Sequence, residues 1–192
     1  MADAVTVSFN PSELLSFQAA LTALSGKQMQ DALRRAINSV GDRDRTQVKR
    51  VLTKQTGLKA HVIERALKTK RANFDELSYT MTVRGGNVAM KYFGARETLP
   101  GVSAAPLGQR QVFVSTFMKG GKFPDRVPLK LGGQVFERTG AGREIRKVLS
   151  GVYIPLELVS GATVATFQKT AEQMLPGRVA HEIDVITRGI VA

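Results

Sequence analysis

His61 and Glu64 stand three positions apart in a segment of helical pattern, the spacing that puts two side chains on one helix face. Such a pair is half of a metal site or of an acid–base couple. A zinc site needs at least a third ligand, and the helical zinc motif needs a second histidine at a fixed offset. The one other histidine, His181, lies in a separate helical segment. That ligand count favours a partly exposed helix histidine. The chain has no cysteine, which removes thiolate nucleophiles, disulfides and Cys-based zinc sites together. No serine is framed as a nucleophile elbow. The paired carboxylates Asp75-Glu76 adjoin a strand start, where a solvated turn accounts for them. Gly140 to Ile145 (GAGREI) lacks the third glycine of a dinucleotide fingerprint and lies between two strand-like runs. Met118 to Lys122 (MKGGK) has no Ser or Thr after its lysine. No enzyme, cofactor or metal is expected from these residues.

Cations are the next candidates for chemistry. The 192 residues include 28 Lys plus Arg against 16 Asp plus Glu, a formal net charge of +12. Residues 34–71 hold 12 basic and 3 acidic residues, and residues 84–150 hold 12 basic and 4 acidic; the remaining stretches are all net negative. A basic centre of this kind attracts phosphate without regard to sequence. It equally suits a solvated face or an acidic protein neighbour. Arg34, Arg35, Arg45, Lys49 and Lys54 are the candidates to face DNA. Aromatic residues make up only 6% and tryptophan is missing, so a base-stacking platform is weakly supported. Any DNA contact is then expected at phosphates.

The elements that would position these groups follow from periodicity. Asn10-Pro11-Ser12 predicts a first helix with Leu14, Leu15, Phe17, Leu21 and Leu24 on one face. A second helix spans about Lys27 to Gln55, with a kink or exposed turn expected at Gly41 to Arg45, and Gly57 as its stop. A short helix over about Lys59 to Lys68 follows. Leu77, Tyr79, Met81 and Val83 alternate as a half-buried strand. Gly85-Gly86-Asn87 predicts a hairpin turn into a return strand, Val88 to Phe93. Gln111 to Phe117 reads as a strand, and Met118 to Gly133 as a loop. Gln134 to Arg138 and Glu144 to Leu149 read as a second hairpin. Helix returns from Ser160, interrupted at Pro176-Gly177. The sum is a single α+β domain over residues 1–192: helices in 1–71, a central, mostly antiparallel sheet of about five strands in 77–155 with the loop at 118–133, and helices in 160–192. No apolar run approaches the roughly 18 residues of a membrane span, and Met1 to Asn10 has no basic residue, which speaks against a signal peptide.

The stretch from Tyr92 to Arg110 combines an aromatic pair, the Phe93-Gly94-Ala95-Arg96 block and a small-residue run. Glycine at a strand end lets the chain bend or another backbone approach, and arginine can hold a carboxylate or phosphate bidentately. Several blocks in order carry a wider resemblance: ALRRAINSVGDRDRTQVKR (32–50) with TGL (56–58), FGAR (93–96), GVSA (101–104), VFER (135–138), GREIRKVLSGVYIP (142–155) and a late LP (175–176). In that order and spacing, over residues 32–180, the chain resembles the minor tail protein Z family of tailed bacteriophages. The resemblance implies a virion protein that completes the head-proximal end of a tail. It implies assembly in the host cytoplasm as a ring of copies around the DNA channel, so that tail and filled head join. The partners implied are other copies of the chain, tail terminator or tail tube proteins, head–tail connector proteins and double-stranded DNA in the lumen, with no membrane. Phe93, Gly94 and Arg96, with Lys119, Lys122 and Arg126 from the loop, are the candidate subunit interface.

Overall fold

A computed structural model of the protein describes residues 5–9 and 26–188. The helix expected from Ser12 lies outside the described residues.

Helix α1 (Gly26–Thr56) runs without interruption through Gly41 to Arg45, where a kink or exposed turn is expected from the sequence. What covers this stretch explains the difference. A Cβ on Gly41 would stand 2.3 Å from ring carbons of Tyr79, so the missing side chain lets the aromatic ring lie against the helix backbone. Tyr79 is fully buried, and its hydroxyl donates to Asp42 Oδ1 at 3.1 Å. Burial, followed by the neighbouring Asp42 carboxylate, pushes the Tyr79 pKa up to about 12. Asp42 also accepts from Arg71 at 2.9 Å. These contacts outweigh the roughly 1 kcal/mol by which a mid-helix glycine falls short of alanine. Asp44, in the same stretch, is fully buried and neither carboxylate oxygen has a hydrogen-bond partner. Burial pushes its carboxyl up to about 7.

The helix stops where expected. Gly57 takes a φ of +75° and donates to the Thr53 carbonyl at 3.0 Å. Helix α2 (Ala60–Ala66) is shorter than expected, because Leu67 leads directly into strand β2 (Leu67–Lys70). Strand β3 (Tyr79–Val83) buries Tyr79, Met81 and Val83, as its alternation predicts. It is the middle strand of an antiparallel sheet, with β1 (Val5–Phe9) on one edge and β2 on the other.

Both edges of β3 are therefore occupied, and the hairpin expected at Gly85-Gly86-Asn87 does not form. Strand β4 (Asn87–Ala89) instead pairs with β13 (Leu149–Tyr153), about 60 residues later in the chain. The expected return strand ends early, since Met90–Phe93 is a 3-10 turn closing on Gly94 at φ +64°. Strands β5 (Arg96–Glu97), β6 (Gly101–Ala104) and β7 (Gln111–Val114) form a third sheet. The strand expected over Gln111 to Phe117 breaks at Ser115, whose φ is +63°. Its second part, β8 (Thr116–Phe117), joins the expected hairpin of β11 (Phe136–Arg138) and β12 (Ile145–Lys147). The segment expected as a loop contains a short ribbon of β9 (Lys119–Gly120) and β10 (Val127–Pro128). The α+β class and antiparallel pairing are as expected, but among the described residues the strands are shared among five small sheets instead of one.

After β13 come α3 (Ile154–Leu158) and α4 (Gly161–Arg188). Pro176 sits inside α4, which continues through it. Phe167, Ala171, Leu175, Val179 and Ile183 keep a buried stripe at four-residue spacing on both sides of the proline. That stripe packs along α1, and burial of both faces is what retains the helix despite the missing N–H. Gln55 near the end of α1 ties down the start of α4. Its amide N–H donates to the Glu157 carbonyl at 3.1 Å, and its carbonyl accepts from Thr163 Oγ1 at 2.9 Å. Ile37, Val40, Val48 and Leu52 of α1 join Met81 and Val83 of β3 and the α4 stripe in one core.

Candidate interaction surface

The five helix cations expected to face DNA do not form one stripe. At about 100° per residue, Arg34, Arg35, Arg45 and Lys49 share a sector of α1 and Lys54 lies opposite. The four in the sector are held by carboxylates. Asp31 accepts from Arg34 Nε at 3.2 Å and Arg35 Nε at 2.8 Å. The hydrogen bonds from Arg35 and Arg34 hold the Asp31 carboxyl below its ordinary value. Glu64 of α2 lies 3.7 Å from Arg45 and 3.3 Å from Lys49. Arg34 also stacks on Phe74, 5.0 Å from the ring centroid. Two carboxylates thus offset two of four charges; the Arg34 and Arg35 guanidinium groups are committed to Asp31 through two nitrogens each, whereas Arg45 makes only an ion pair and its Nε has no partner among the described residues. Arg71 and Arg178, which border the same side, are likewise paired, with Asp42 and Glu182. His61 is exposed, and among the described residues no cluster of three metal-ligating side chains exists.

The candidate interface residues fall in three environments. Phe93 is 2% exposed and belongs to the core, so its ring is not available to a neighbouring subunit. Gly94 and Arg96 are exposed, and Arg96 makes no ion pair among the described residues. The carboxylate at this corner, Glu97, holds Arg126 instead, in an ion pair with little solvent exposure. Glu97 Oε2 also accepts the Met118 N–H at 2.8 Å. This one side chain therefore pins both ends of the segment 118–126 to β5. Removing it strands a half-buried guanidinium whose Nε already lacks a partner. Glu97→Ala is expected to lower stability by about 2 kcal/mol. Glu137→Ala, at the exposed Arg146 pair, is expected to cost about 0.5 kcal/mol or less. Urea denaturation of the two variants checks this; equal losses would refute it.

Lys119 and Lys122 are exposed. Lys119 lies on the rim of a cleft of about 660 Å³ that sequence reasoning does not find. The cleft opens where the β5–β6–β7 sheet, the β8–β11–β12 sheet and the β9–β10 ribbon meet. Leu99, Phe117, Leu129, Leu131 and Ile145 give it apolar walls. Lys119, Arg126, Arg138 and Arg143 are its charged residues, and no Asp, Glu or His lines it. Arg138 lies over the Phe117 ring at 5.8 Å. Gly101 marks the tight approach behind one wall, where a Cβ would stand 2.0 Å from the Phe113 carbonyl oxygen. Apolar exposure continues outside the cleft, with Val114 at 70% and Val127 at 68%. The one sequence signal for this surface is compositional: from Leu99 to Leu131 the sole acidic residue is Asp125.

The cleft thus combines apolar walls with a cationic rim, and among the described residues no cluster of three metal-ligating side chains lies at it. Comparison of the chain with protein-family models, curated proteins and solved structures finds no match.

Proposed function

We propose that this chain is a structural virion subunit that completes the head-proximal end of a phage tail and enables head–tail joining. It assembles as a ring of copies around the DNA channel and contacts tail terminator or tail tube proteins and head–tail connector proteins. The observation that carries this reading is the apolar, cation-rimmed surface of the strand-rich side. Such a surface is suited to protein contact, whereas four of the five helix cations suited to phosphate are near carboxylates of the fold. The ordered blocks over residues 32–180 supply the choice of assembly.

Deletion of the gene from its phage or prophage tests it, with electron microscopy and infectivity counts of the lysate. Tails of normal length beside filled heads that fail to join, or joined particles that do not infect, are the expected result. Fully infectious particles would overturn the reading and transfer weight to a free DNA-binding protein acting through phosphate contacts of the 34–71 region.

A further inference from the structure

We infer that the cleft between the three small sheets is the docking site for an acidic, amphipathic segment of a partner protein. The inference rests on the reading of this face as a protein-contact surface and names the chemistry of what it contacts. Charge decides the occupant. Four cationic side chains line the cleft with no carboxylate among them. Arg126 is matched by Glu97 behind the wall, while Lys119, Arg138 and Arg143 have no carboxylate partner among the described residues and are exposed to solvent. A purely apolar segment would leave these cations desolvated and unpaired at the rim, which is costly. A polyanion without apolar groups would leave Leu99, Leu131 and Ile145 facing water, and Leu99 is already 70% exposed. Only a segment carrying both carboxylates and large apolar side chains satisfies both sets.

The strand edges add a backbone component. β12 is the outer strand of its sheet, and Ile145 projects from it into the cleft. β7, outer strand of the neighbouring sheet, leads through Ser115 to the opposite wall. An extended segment between them can put alternate side chains on the apolar walls and the cationic rim.

The probe is a fluorescein-labelled peptide of alternating Glu and Leu, about twelve residues long, titrated with the full chain and read by fluorescence anisotropy. Two companion probes replace Glu by Gln and Leu by Ser. The Glu–Leu probe is expected to bind about tenfold or more tighter than either companion and to weaken as salt rises. The variant Arg143→Glu with Lys119→Glu is expected to lose about tenfold of that affinity with its melting temperature unchanged, both side chains being exposed. Ile145→Ser tests the apolar wall in the same way. Equal binding of the three probes, or no loss in the charge-reversal variant, would overturn the inference. So would displacement of the probe by duplex DNA as readily as by unlabelled peptide, since that marks a general polyanion surface. The two readings fail separately. A silent peptide assay with unjoined heads and tails in the deletion lysate sinks only the cleft inference. Tight peptide binding with a fully infectious deletion lysate sinks only the tail-completion reading.

Discussion

Asp44→Asn is expected to stabilise the protein by about 4 kcal/mol at about pH 8 and by about 0.5 kcal/mol at about pH 4. The carboxyl is fully buried in α1, has no hydrogen-bond donor, and has its pKa pushed up to about 7 from an ordinary 3.8 by burial. Below the unfolded value both states are protonated and the aspartate carries no penalty. Between the two values the native state holds a proton that the unfolded chain has lost, so stability falls as pH rises. Above about 7 the native state must bury an uncompensated charge or keep the proton, and the full penalty persists. Asparagine keeps the shape and removes the ionisation. Urea titrations of both proteins across this pH range read the difference directly. A gain that does not change with pH would show that Asp44 is ionised and solvated in the native state, and would refute the prediction.

Gly41→Ala is expected to cost about 3 kcal/mol, against the ordinary gain of up to about 1 kcal/mol for this exchange in a helix. The new methyl group would stand 2.3 Å from two Tyr79 ring carbons and 2.6 Å from a third, and the ring is fully buried with its hydroxyl committed to Asp42. Gly177→Ala in α4 supplies the control, since nothing lies within 4 Å of its added Cβ, and it is expected to stabilise. A double variant with Tyr79→Ala tests the cause: the two losses should fall short of additive by about 1 kcal/mol or more. Additive losses would mean that the ring and the glycine do not oppose one another.

Residues 38–48 also mark where sequence and structure part. Local periodicity was enough for α1, for the buried face of β3 and for the β11–β12 hairpin, because each pattern is completed within a few residues of itself. Gly41 and Asp44 read as helix-weakening only because Tyr79 and the covering core lie elsewhere in the chain. The same distance hides β4. Gly85-Gly86 has every local mark of a hairpin turn, yet β1 and β2 take both edges of β3 and send β4 to β13. Pro176 breaks a pattern on paper that packing against α1 keeps whole.

The site was legible in its charge and not in its pairing. Arg34, Arg35, Arg45 and Lys49 are visible as a basic helix, whereas Glu64 comes to Arg45 and Lys49 from a second helix after the Gly57 turn. Phe93 stands in a block rich in surface residues, but its ring closes the core. Lys119 and Arg126 were visible as loop cations. Leu99, Arg138, Arg143 and Ile145 come from four separate strands or turns, and only the meeting of three sheets makes them neighbours.

Gly57 meets the turn at Ala105 to Gly108 through main chain alone: a Cβ at 57 would stand 2.5 Å from the Gly108 nitrogen and 2.7 Å from the Ala105 carbonyl oxygen. The end of α1 and the turn that leads into β7 thus approach one another main chain to main chain at Gly57, where a side chain does not fit. Both the positive φ and the close approach hold that position to glycine. One backbone position therefore sets how closely the long helix can lie to the side of the molecule that carries the cleft.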